Sequence, residues 1–198
     1  MQDATFSLAT DNEDLAQGLQ ASQAGDSLAA IALFTKAALT SSTPGIASFL
    51  LGAEWAAIGD MKKAEAALAD AVIQAPHLPI ARYQLGLLQL SSGKCSQALL
   101  TWEPLLSLPA ENPLHWFVQG QVALAQNHFE DAIAHFEAGI ALNSSNEPLN
   151  GDIRKIVQRI HELNSAEESQ LTSMGETDNQ ETPTHMFLSS YQRQAKLH

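Results

Sequence analysis

The side chains of this 198-residue chain that could hold a metal or move a proton are seven histidines, one cysteine and 22 carboxylates. Their spacing does not suit that chemistry. His128 and His135 stand seven apart, which puts them on one side of a helix across two turns, whereas a metal pair prefers ligands three or four residues apart. They read as solvated or capping histidines. His77 follows Pro76 in a turn, His115 has only Glu111 beyond Pro113, and His161 has no acidic or cysteine neighbour at ligand spacing. Cys95 stands alone, which excludes an internal disulfide and a multi-thiolate zinc site; it reads as a packing residue, with redox sensing as the alternative. Glu65, Asp70, Glu130 and Asp131 read as a solvated face of outer helices. The sequence has no glycine-rich phosphate loop, nucleophile elbow or HExxH. The expectation is a protein that is not an enzyme and takes no cofactor or metal.

Charge and composition narrow the partners. Ten basic residues against 22 acidic ones give a net charge of −12, which repels nucleic acid and anionic lipid alike. No window approaches the roughly 18–20 apolar residues that span a bilayer. Residues 1–14 carry four acids, no Lys or Arg and no sustained apolar run, unlike a signal or transit peptide. The expected location is the cytoplasm. A hydrophobic content of 45% suffices for one core or a short stack of repeats with a tail to spare.

The elements that position these residues follow from an internal period. Gly25-Asp26, Gly59-Asp60, Gly93-Lys94 and Asn127-His128 recur every 34 residues without insertion or deletion. In the same register stand Gly18, Gly52, Gly86 and Gly120, then Ala30, Ala64, Ala98 and Ala132, then Phe34, Leu68, Trp102 and Phe136. Segments 46–58 and 79–91 have apolar residues at helical spacing and stop near a glycine; a second amphipathic segment such as 61–74 follows each. The unit is a helix hairpin. Pro104 falls inside the third copy's second helix and is expected to kink or shorten it. A glycine within a helix costs about 1 kcal/mol relative to alanine, so a column of four implies close packing, here expected against the alanine column of the second helix.

Leu51-Gly52, Trp55, Gly59-Asp60-Met61, Ala64, Leu68, Ala71 and Pro76 make the second copy resemble the tetratricopeptide repeat at nearly every signature position. The third copy is also close. The first and fourth are looser, with Gln17 and Gln119 for leucine, Asn127 for the turn glycine and Gly139 for alanine. The resemblance implies an all-α fold, a right-handed α-solenoid with repeats at 11–44, 45–78, 79–112 and 113–146 after an N-terminal segment, 1–10. Leu149, Ile153, Ile156, Ile160 and Leu163 mark a capping helix over 147–163, with Gly151 arguing for an ordered start at Asp152 instead. Residues 164–198 form a polar tail expected to be unstructured, ending in the apolar cluster Met186, Phe187, Leu188 and Tyr191. That cluster is a candidate interaction motif, able to serve as a displaceable lid.

In the tetratricopeptide family the first helices line a concave face through repeat positions 2, 5, 9 and 12. Carried onto this chain, the resemblance implies a groove of Leu15, Phe49, Tyr83 and Phe117 at position 5, with Ile46, Ile80 and Leu114 at position 2. Leu19, Leu87 and Leu124 continue it at positions 9 and 12. None of the sixteen groove positions is charged, which argues against a clamp for acidic C-termini and for an apolar peptide or helix. The expected function is a protein-binding adaptor or chaperone, with a structural subunit using an acidic convex face, or a self-associating module, as alternatives. A homo-oligomer is compatible with either.

Overall fold

A computed structural model describes residues 12–173, with side chains through 165. The N-terminal segment and the tail motif lie outside the described residues. The helices are α1 (Glu13–Gln23), α2 (Ser27–Thr40), α3 (Pro44–Ala57), α4 (Met61–Gln74), α5 (Pro79–Ser91), α6 (Cys95–Leu106), α7 (Pro113–Ala125), α8 (Phe129–Leu142) and α9 (Glu147–Ser173). Among the described residues no strand occurs. Helix starts have local causes. The Asn12, Asp26, Asp60 and Asn112 side chains accept hydrogen bonds from the backbone N–H of Leu15, Ala29, Lys63 and Leu114. Prolines open α3, α5 and α7, where a missing N–H costs nothing. Between the helices of each hairpin the chain turns through a left-handed residue, at Gly25, Gly59 and Gly93 (φ 78°, 83° and 77°) and at Asn127 (φ 61°).

The glycine column packs against a different partner from the expected one. A Cβ placed on Gly18, Gly52, Gly86 or Gly120 would overlap Phe34, Leu68, Trp102 or Phe136, the large residue nine positions after each turn, and not the alanine column. Each glycine is therefore the floor of a slot that a large side chain of the second helix fills. The slots explain why Phe34, Trp102 and Phe136 are almost wholly buried.

The chain divides into two compact units, one through Trp102 and one from Glu103. In the first, Leu15, Ala30, Phe34, Ala37, Ile46 and Ala47 form one core cluster and Ala64, Leu68, Leu85 and Leu88 another. The second buries Leu114, Phe117, Val118, Phe136, Ile153, Ile156 and Ile160. Pro104 sits inside α6, which has 12 residues where α2, α4 and α8 each have 14.

α9 begins at Glu147, with no delay to Asp152, and runs past residue 163. Its first turn is fixed by a buried amide pair: Asn143 donates to the Asn150 side chain (2.9 Å), and Asn150 donates to the Asn143 carbonyl (2.7 Å). Gly151 is thus carried by its neighbours. The helix continues ten residues beyond 163, through a stretch with Ala166, Glu167, Glu168 and Gln170 and no Gly or Pro to stop it. Asn150→Ala removes the partner of a buried amide, a loss of about 1–3 kcal/mol. The expected result is amide hydrogen exchange in α9 faster by about tenfold or more, with α1–α4 unchanged.

Candidate functional site

The first helices carry the expected groove residues at unequal depths. Tyr83 and Phe117 are 0% exposed, so neither ring stands on an open face. Tyr83 stacks on Trp102 with centroids 6.2 Å apart and planes 26° apart, while the Trp102 indole N–H donates to the Tyr83 carbonyl at 3.0 Å. Phe117 seats on Gly139, where a Cβ would overlap its ring. The departure from alanine in the fourth repeat thus makes room for this ring. Leu15, Ile46 and Leu114 are buried as well. Three of the four position-5 residues and two of the four at position 2 are therefore packed inside rather than presented to solvent.

Half-buried residues remain within reach of a partner. In the first unit these are Leu19 of α1, Phe49 of α3, and Ile80 and Leu87 of α5; Leu124 of α7 is its counterpart in the second. Phe49 packs partly on the Ala64, Leu68, Leu85 and Leu88 cluster. The apolar column count missed the polar content of this side. The Ser22 hydroxyl donates to the buried carboxylate of Glu54, joining α1 to α3.

The second helices depart most from expectation. Leu28 and Leu39 of α2, Ile73 of α4 and Leu100 of α6 are all at least 70% exposed. Leu39 (84%) and Ile73 (76%) occupy the same repeat position, 34 residues apart. That recurrence is visible in the sequence, although an amphipathic count by itself assigns leucine to the core. The charges beside them are partly paired: Lys36 with Asp14 at 2.8 Å and Lys94 with Glu65 at 2.6 Å. The Asp14 carboxylate, by hydrogen bond and charge, holds the Lys36 ammonium above its ordinary pKa.

In the second unit, Trp116 lies between two histidines, edge-on to His115 (5.3 Å) and tilted over His135 (5.8 Å). Its indole N–H donates to the Ala110 carbonyl at 2.6 Å. His135 is therefore a packing residue, while His128 precedes α8 with no side-chain cap bond. Among the described residues no three of His, Cys, Asp and Glu are grouped to hold a metal. An open trough of about 1020 Å³ runs between α8 and α9, lined by Glu137, Ile140, Arg154, Val157, His161 and Glu162 among others. Arg154 pairs with Glu147 at 2.5 Å, and its hydrogen bond, followed by that of Asn150, holds the Glu147 carboxyl below the usual range.

Among the described residues no helix is long and apolar enough to cross a membrane. No curated protein matches the chain. A family model described as tetratricopeptide repeat matches residues 15–79 and 83–147, more than half of the chain. The two matches cover the four hairpins with their glycine-floored slots and left-handed turns, and the chain belongs to the tetratricopeptide repeat family, whose repeats generally mediate protein–protein interactions.

Proposed function

We propose that this chain is a cytoplasmic adaptor that binds a polypeptide through apolar contacts, with the second-helix face of its N-terminal unit as the principal surface. One observation carries the reading: Leu28, Leu39, Ile73 and Leu100 are large aliphatic side chains left mostly in water on adjacent hairpins. Burial against a partner is worth about 1.5–3 kcal/mol per side chain by area, before association costs. A partner segment with its own apolar stripe, held in chaperone-like fashion, suits such a surface. The lone cysteine and acidic charge support the cytoplasmic location.

A second reading keeps the first-helix face as the binding side, supported by the half-buried Leu19, Phe49, Ile80 and Leu87. Two double variants separate the readings. Leu39→Ser/Ile73→Ser is expected to weaken capture of partners at least about tenfold while shifting stability by no more than about 0.5 kcal/mol per site. Leu19→Ser/Leu87→Ser is expected to leave capture intact. Affinity capture with quantitative mass spectrometry gives the comparison. The reverse pattern would transfer the function to the first-helix face, and undiminished capture by both would remove apolar recognition altogether.

A further inference from the structure

The last helix is a first helix without its second. Asn112 and Asn146 stand 34 residues apart, and their side chains accept from the second and third N–H beyond them, Leu114 and Leu149, at the starts of α7 and α9. Carried one period further, the glycine column falls on Arg154. In all four hairpins that column marks the side of the first helix on which its own second helix packs. On α9 the neighbouring side is spent: Ile153, Ile156 and Ile160, at three- and four-residue spacing, are buried. The side carrying Arg154, Val157 and His161 instead forms the wall of the trough against Glu137 and Ile140 of α8. Because α9 runs straight on to Ser173, no second helix follows in register. With arginine in place of glycine, a helix axis cannot approach as closely as in the other hairpins. An occupant must therefore span a wider gap with large side chains.

We propose that residues 184–198 of the same chain occupy this trough. Phe187, Leu188, Tyr191 and Ala195 have the spacing of one helical face, so two rings and a leucine would meet Ile140 and Val157. The segment carries Arg193 and Lys196 and no acid, within a chain of net charge −12. On the trough wall, Glu137 makes no ion pair among the described residues and is the complementary charge. Connection is not limiting. From Ser165, at the trough's end, to Ser173 is a rise of about 12 Å, and the 10 residues 174–183 span roughly 17 Å as a coil. The groove lid expected from the sequence lacks such a seat, since Tyr83 and Phe117 are buried.

Cysteine tethering in the full chain tests this. In a Cys95→Ser background, Ser190→Cys is paired with Val157→Cys or, as a more exposed second position, Gln158→Cys, with Asp152→Cys outside the trough as the control. A monomeric disulfide is expected to form at least about tenfold faster at either trough position than at the control, the mark of a high effective concentration. Adding Glu137→Lys is expected to slow it several-fold. Equal rates at trough and control positions would overturn the proposal. So would disulfide-linked dimers whose yield rises with protein concentration, because a second copy would then fill the trough. An unchanged rate with Glu137→Lys would overturn the charge pairing that places the segment there.

Discussion

Gly86→Leu is expected to lower the melting temperature by about 6–12 °C or more, measured by circular dichroism at 222 nm, for a chain of this size. The shift corresponds to about 3 kcal/mol, the upper end of ordinary overpacking. Two losses combine to place it there. Even the first carbon of a side chain at Gly86 overlaps the Trp102 indole, which is 1% exposed and packed within the hairpin. Displacing that indole also breaks its hydrogen bond to the Tyr83 carbonyl, a net contribution of about 1 kcal/mol. Gly93→Ala is the informative contrast. Nothing lies within 4 Å of a Cβ there, so its cost is the left-handed backbone alone, about 1–2 kcal/mol. A Gly86→Leu protein that melts with the wild type would show that Trp102 can leave its slot freely, and that the slot does not hold the hairpin together.

The features most legible in the sequence are those for which backbone geometry admits few residues. A left-handed turn leaves a trace at Gly25, Gly59, Gly93 and Asn127, so the period and the hairpins follow from it. The glycine column was legible too, but not its partner. Ala30 and Phe34 lie one helical turn apart on the same helix, and spacing alone cannot say which of them reaches across. Depth is harder still. A large apolar residue at position 5 gives the same periodic signal whether it lies on a groove, as Phe49 partly does, or is sealed against Trp102 or Gly139, as Tyr83 and Phe117 are. What decides is the size of the residue opposite, a tertiary fact. The exposed leucines are hard to read for the converse reason: apolar character alone points to the core, and only the recurrence of Leu39 and Ile73 at one repeat position hints otherwise. The extra turns of α9 are hidden by composition: a polar segment reads as tail, yet this one has no Gly or Pro, and Ala166, Glu167, Glu168, Gln170 and Leu171 are helix formers that extend an established helix.

Tyr83→Ser and Phe117→Ser are each expected to destabilise the fold by about 3–5 kcal/mol, the usual range for truncating a large buried ring. Both rings are fully buried, and serine leaves a cavity together with a hydroxyl for which the site was not built. They rest on different partners, Trp102 and Gly139, so the costs should add in the double variant to roughly 6–10 kcal/mol. Domains of this kind have about 5–15 kcal/mol in total, so the double variant is expected to be largely unfolded at 37 °C. Phe49→Ser is the control. That ring is half-buried at the edge of its cluster, and about 1–2 kcal/mol is the expected loss. Urea denaturation followed by circular dichroism ranks the three single-ring variants, with unchanged m-values wherever unfolding stays cooperative. Failure of the double variant to capture a partner would then report unfolding, and only Leu39→Ser/Ile73→Ser would speak to recognition. If Tyr83→Ser instead melts like the wild type but loses its partner, the ring meets the partner after all, and the first helices, rather than the exposed leucines of the second, make the binding face.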